Sequence, residues 1–169
     1  MITSINTSVN TTLTDHLWYM SMAIEQAELA YKMQEVPVGA ILVSPKGEVL
    51  SRHHNLKESH FNPTAHTELL TLIESAKKLQ NWRLSDCILY VTLEPCPMCL
   101  AAMVQSRIKQ CVFGAYDTKG GALSLGYTLH QDKRLNHQFS IIGGIKHFEC
   151  SKVLSQFFKE RRNSYRIKN

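Results

Sequence analysis

Cys96 and Cys99 stand in the run Pro95-Cys96-Pro97-Met98-Cys99, and His66-Thr67-Glu68 precedes them by thirty positions. A turn between two thiols so spaced brings both sulfurs to one side, where they can hold one metal ion. A histidine from elsewhere makes a third ligand, and a tetrahedral zinc with three protein ligands keeps one position open. An open position admits and acidifies water, which marks a catalytic zinc centre rather than a structural one. Glu68 lies close enough to move protons without being a ligand. A lone Cys-x-x-Cys also fits a redox pair or half of a zinc ribbon. A ribbon needs a second pair, however, and Cys87, Cys111 and Cys150 are too scattered to form one. A redox pair has no use for an upstream His-x-Glu.

The elements that must position these groups can be read around them. Asn62 followed by Pro63 predicts a helix start, with Asn as the cap and Pro in the first turn. Leu69, Leu72, Ile73, Ala76 and Leu79 then form its buried stripe. Residues two apart on a helix point to nearly opposite sides, so His66 and Glu68 flank a metal only if it lies against the first turns. The element closing over it is the start of the next helix, Pro97 to Gln105, with Leu100, Met103 and Val104 inward. A helix N-terminus lowers the pKa of a thiol there and favours the metal-binding thiolate. Cys87 to Leu93 is a near-continuous apolar run, as in a strand buried on both faces. Glu94-Pro95 turns the chain after it, and Glu94 is expected to accept backbone hydrogen bonds at that turn.

Upstream, residues 1 to about 13 are rich in Thr, Ser and Asn and are expected to form a mobile tail. Thr14 or Asp15 caps a first helix in which Leu17, Met20, Ile24, Ala27 and Tyr31 recur at helical spacing. Gly39 to Val43 and Glu48 to His53 make a hairpin about the Pro45-Lys46-Gly47 turn. Asn55 lies just beyond it, in a position suited to turn chemistry. Downstream, Cys111 to Gly114 and Phe139 to Ile142 read as strands, and a last helix runs from about Ser151 to past Arg162. Helices and strands alternate, which predicts a three-layer α/β/α protein with a five-stranded mixed sheet.

A chain of 169 residues suits one domain. Its 44% hydrophobic and 20% charged residues are ordinary for a globular protein, which sets aside disorder and fibrous classes. No run approaches a membrane span and the N-terminus lacks the signal-peptide pattern. Five cysteines without framework spacing fit a reducing compartment, so the expected location is cytoplasmic. The net charge of +5 is compatible with a polyanionic partner without establishing one. Lys159, Arg161, Arg162, Arg166 and Lys168 crowd the C-terminus among Phe157, Phe158 and Tyr165. That pattern serves either a solvated helix face with its aromatics packed inward or a contact with nucleic acid.

His-x-Glu followed by Pro-Cys-x-x-Cys is the signature of the zinc nucleobase deaminases. Four longer blocks extend the likeness: Val36-Pro37-Val38-Gly39-Ala40, Pro63 to Glu68, Tyr90 to Cys96, and Ser106-Arg107-Ile108. Through them the chain, from about Leu17 to Arg162, resembles the bacterial tRNA-specific adenosine deaminases of the cytidine deaminase-like superfamily. Thr67 stands where that family usually carries Ala, and Gly120-Gly121-Ala122-Leu123 follows its loop only loosely.

The resemblance implies a single zinc deaminase domain over 14–169, with one Zn2+ per subunit held by His66, Cys96 and Cys99. It implies Glu68 as the catalytic acid and base, and Asn55 as a hydrogen-bond partner of the target base. Asp117, Lys119, His137, Phe158, Arg161 and Arg162 become the implied anticodon-loop contacts. The implied reaction is deamination of adenosine to inosine at the wobble position of a tRNA anticodon stem-loop, that of an arginine tRNA, by a homodimer. Two rivals stay open at this point: a deaminase of free bases or nucleosides on the same scaffold, and a zinc-stabilised RNA-binding module without chemistry.

Overall fold

The computed structural model describes residues 11–168. The first helix, α1 (Leu13–Lys32), opens on a reciprocal cap. The Thr12 hydroxyl accepts from the Asp15 N–H at 3.3 Å, and the Asp15 carboxylate accepts from the Thr12 N–H at 2.8 Å. The cap therefore lies ahead of the predicted Thr14 or Asp15, because Asp15 acts from the third helical position. Most of the expected mobile tail, residues 1 to 13, lies outside the described residues, but its last two, Thr12 and Leu13, belong to this helix start. The buried face of α1 is His16, Tyr19, Met20, Ala23, Ala27 and Ala30, and Leu17 turns outward. Small residues face the sheet because β1 (Gly39–Val43) crosses α1 closely. A Cβ at Gly39 would collide with the Ala23 carbonyl and the Ala27 amide, so only glycine fits there.

The hairpin partner of β1 is β2 (Val49–His54), joined through a turn in which Gly47 takes φ +82°. The sheet continues with β3 (Ile88–Leu93), β4 (Gln110–Ala115) and β5 (Ser140–Ile142), in the order β2-β1-β3-β4-β5. Pairs β1–β2 and β1–β3 are antiparallel, while β3–β4 and β4–β5 are parallel. The five-stranded mixed sheet predicted from the sequence is present. Alternation along the strands makes two cores. Ala40, Leu42, Leu89, Val91, Cys111 and Phe113 pack with α2 (Thr67–Leu79) and α3 (Pro97–Ser106) on one face. Ile41, Val43, Ile88, Tyr90 and Val112 pack with α1 and α4 (His147–Lys168) on the other. Among the described residues no helix is long and apolar enough to cross a membrane.

Two helices depart from expectation. Helix α4 begins at His147, about one turn before Ser151, after Lys146 reverses the chain at φ 53°. Its Cys150 packs so close to Gly114 that a Cβ on the glycine would overlap the sulfur. Helix α2 begins at Thr67 rather than Pro63. The Asn62 side-chain oxygen accepts from the Thr64 N–H and hydroxyl at 2.9 and 2.8 Å, closing a local turn instead of capping the helix. Its buried face is Thr67, Glu68, Thr71, Leu72 and Ser75, and the predicted Ile73 and Leu79 point to solvent. The polar face is buried because β2 supplies partners: Ser51 Oγ lies 2.6 Å from Ser75 Oγ and donates to the Thr71 carbonyl at 2.9 Å.

Beneath α1, His16 Nδ1 meets the Tyr90 hydroxyl at 2.9 Å in a buried pair. Burial holds the His16 imidazole below its ordinary pKa of 6.5, against a smaller opposing pull from Asp15. The unfolded chain then binds the proton first as pH falls, so His16 favours folding above its ordinary pKa and loses that contribution below it. Tm is therefore expected to fall between about pH 7 and about pH 5, and to fall less steeply in His16→Asn, as thermal melts across that range will show.

Candidate metal and nucleobase site

Two helix N-termini converge at the end of the sheet where β3 and β4 finish. His66 is the N-cap of α2, extended at φ −72°, ψ 144°, and Cys96 is the N-cap of α3 at φ −72°, ψ 168°. Neither side chain caps its own helix. Both are turned to a common point instead, together with Cys99 one turn into α3. His66 Nδ1 lies 3.7 Å from Cys96 Sγ and 3.6 Å from Cys99 Sγ, and the three ligand atoms fall within 4.8 Å of one another. Zinc–nitrogen and zinc–sulfur bonds of ordinary length at the tetrahedral angle put N and S about 3.6 Å apart. The trio fits a tetrahedral metal. Because His66 precedes the helix, the restriction on helical residues two apart does not apply, and Glu68 can face the same point.

The electrostatics favour a cation. The Cys99 S–H and, against burial, the His66 imidazole hold the Cys96 thiol down to about 4, so Cys96 is a thiolate. The Cys96 sulfur and burial push the Cys99 thiol up in turn. Both helix dipoles present their positive ends to this pair. Glu68 is buried, and burial raises its carboxyl pKa above the usual range.

A cavity of ≈ 290 Å³ opens onto His66 and Cys96, with Val36, Val38 and Leu93 as apolar walls and Asn55, Lys57, Glu68 and Asp117 as polar groups, and Cys99 is buried behind them. Two buried carboxylates secure its rim. Glu94 accepts from the Asp117 N–H at 3.0 Å and from the Ser124 N–H and hydroxyl, both at 2.7 Å, as its place after β3 led us to expect. Gly121 lies against it so tightly that a Cβ would strike the carboxylate. Glu35, which no spacing singled out, accepts from Asn55 Nδ2 at 3.1 Å and from the main chain of Glu58 and Ser59. Thr67, at the position where alanine is usual, donates to the His53 carbonyl at 2.7 Å and ties α2 to the end of β2.

The other implied site residues scatter. Asp117 lines the cavity and its carboxylate accepts from the Lys119 and Gly120 N–H groups at 3.0 and 3.1 Å. Lys119 is exposed beside it. On α4, Phe158 is exposed edge-on to Phe157, and Arg162 faces solvent. Arg161 stacks over Phe157 at 4.9 Å and donates to the Gln34 carbonyl at 2.9 Å. His137 is not brought to the site. It contacts the Ile108 carbonyl at 2.7 Å and shares a surface cleft with Arg107 and Lys109 at the opposite end of the strands.

Residues 14–162 match the family model of the MafB19-like deaminases. The tRNA-specific adenosine deaminase of Bacillus subtilis (strain 168) is 47% identical over 144 residues, 85% of this chain and 89% of the relative. That of Haemophilus influenzae is 43% identical over 148 residues, covering 88% and 86%. A solved structure from studies of A-to-I editing by tRNA:A34 deaminases at the wobble position superposes with TM-score 0.77 at 35% identity, over 81% of this chain and 99% of that one. A guanine deaminase from Nitrosomonas europaea, 17% identical with TM-score 0.72 over 93% and 97%, shares the fold.

Proposed function

The chain belongs to the MafB19-like deaminases, and from that premise we propose that it is a tRNA adenosine deaminase, converting adenosine to inosine at the anticodon wobble position. The observation that carries the reading is the convergence of His66, Cys96 and Cys99 beside a buried Glu68 at the floor of a cavity. Water replaces the exocyclic amine at C6, giving inosine and ammonia. Zinc, held by His66, Cys96 and Cys99, supplies a Lewis acid that makes water acidic near neutral pH.

The remaining steps belong to the chain. Glu68 takes one proton of the attacking water and delivers it to the ring nitrogen next to C6; it then takes the second from the hydroxyl now on C6 and passes it to the departing amine, leaving the C6 carbonyl of inosine. Its raised proton affinity suits it to carry that proton between steps. Asn55 hydrogen-bonds the base, and Val36, Val38 and Leu93 sandwich it away from water. A base in an anticodon loop is already unpaired, so the cost of unstacking is small. Asp117 and Lys119 at the cavity mouth, and Phe158, Arg161 and Arg162 on α4, meet the loop's phosphates and bases. The substrate is an arginine tRNA, and the compartment is the cytoplasm.

The active form is a homodimer. Its support is an apolar groove between α2 and α3, lined by Leu69, Ile73, Ala76, Trp82 and Ala102, in which Ile73 is 50% and Trp82 53% exposed. Large exposed apolar patches mark interaction surfaces. Ile73→Glu is expected to sediment as a monomer where the parent sediments as a dimer. Identical sedimentation of the two overturns the dimer through this face.

The test of the reaction sets an anticodon stem-loop with a wobble adenosine beside a panel of free bases and nucleosides, with Glu68→Ala as blank. Inosine in the loop alone is expected. Ammonia from the panel alone, or no product with metal bound, overturns the tRNA reading.

A further inference from the structure

We propose that Glu35 is a positioning residue for catalysis, acting through Asn55. Glu35 follows the left-handed residue Gln34 just past the end of α1, and it is completely buried. Its Oε1 accepts from the Ser59 N–H at 2.6 Å and the Ser59 hydroxyl at 2.7 Å. Oε2 accepts from the Glu58 N–H at 3.2 Å and from Asn55 Nδ2 at 3.1 Å. All four donors come from the connection between β2 and α2, which forms one rim of the cavity.

Burial by itself would favour the protonated acid, yet the hydrogen bonds from Ser59 and Glu58 and the nearby Arg161 charge hold Glu35 below the usual carboxylate range. Glu35 is thus an anion, and an anionic carboxylate only accepts hydrogen bonds. It must therefore face the NH2 end of the Asn55 amide and exclude the flipped orientation. Asn55 Oδ1 takes no protein hydrogen bond among the described residues, and Asn55 lines the cavity. What Asn55 offers a base is therefore set by Glu35: the carbonyl oxygen and the second N–H, in one arrangement. Glu35→Gln keeps the volume but presents an amide that is content with either orientation of Asn55.

The inference rests on the reading of Asn55 as a base contact, and the experiment separates the two. Glu35→Gln, Asn55→Ala and the double variant are compared on the anticodon stem-loop for kcat and KM, with zinc content and Tm measured alongside. Glu35→Gln is expected to lose about 10² in kcat, as a misplaced contact does, with KM and zinc content near those of the parent. In the Asn55→Ala background the same substitution is expected to change kcat by less than about threefold, because residues acting as one unit are not additive. An equal loss in both backgrounds, or parental kcat for Glu35→Gln, overturns the proposal. Parental activity in Asn55→Ala alone removes the base-contact reading beneath it. Should Glu35→Gln fail to fold, Glu35→Asp, which keeps the charge on a shorter arm, is carried through the same cycle with the same criterion.

Discussion

Glu68→Gln is expected to bind its metal as the parent does and to lose about 10³ in kcat, in the middle of the range for removal of a general acid–base group. The residue is one position into α2 beyond Thr67, buried, and lines the same cavity as His66 and Cys96. His66, Cys96 and Cys99 suffice for the cation, so the metal content of the variant should not change. The amide keeps the shape and loses the ability to move a proton. Single-turnover deamination of the stem-loop, with metal analysis on the same sample, makes the measurement. A variant that has lost its metal yet keeps full activity per bound ion would make Glu68 a ligand or a scaffold instead.

Removing the metal is expected to have a comparable effect on turnover and a much smaller one on the fold. Dialysis against a chelator should cut activity more than about 10³-fold, with recovery on adding zinc, while the far-ultraviolet circular dichroism stays as it was. Two apolar cores, one on each face of the sheet, hold the strands together without help from the cation. A closed structural site behaves otherwise, because small zinc modules unfold without their metal. Cooperative unfolding on chelation would thus revive the RNA-binding module without chemistry. Cys99→Ser is the genetic counterpart: it should lose the metal and the activity together.

How far these sites could be read in advance follows from what kind of signal each residue leaves. Cys96 and Cys99 announce themselves because both ligands lie within one helical turn, and the flanking prolines fix where that turn begins. Most of the strands were legible for the same local reason, being short apolar runs between turns, and the polar β2 from the hairpin turn that precedes it. The start of α2 was not. Asn62-Pro63 carries the signature of a cap, but Asn62 spends its oxygen on Thr64 in a turn of its own, and His66 after it is still extended. The face of α2 differs from its apolar stripe because the hydroxyls of Ser75 and Thr67 find partners on β2, which periodicity alone cannot show. Glu35 leaves no trace in spacing, since its partners belong to a different connection. His137 was assigned by resemblance, and the parallel run of β4 and β5 carries it to the far end of the sheet.

Glu35 and Glu94 both grip their loops largely by main-chain N–H groups: Glu58 and Ser59 in one case, Asp117 and Ser124 in the other. Every residue except proline brings such a donor, whatever its side chain. Apart from Gly121, where a Cβ would strike Glu94, the rim of the cavity can therefore change its side chains while the frame that carries the catalytic atoms stays in place. Such an arrangement separates the inheritance of a chemistry from the choice of its substrate. Related chains can drift or be selected towards other nucleobases by altering the rim, and the reaction itself need not be invented again.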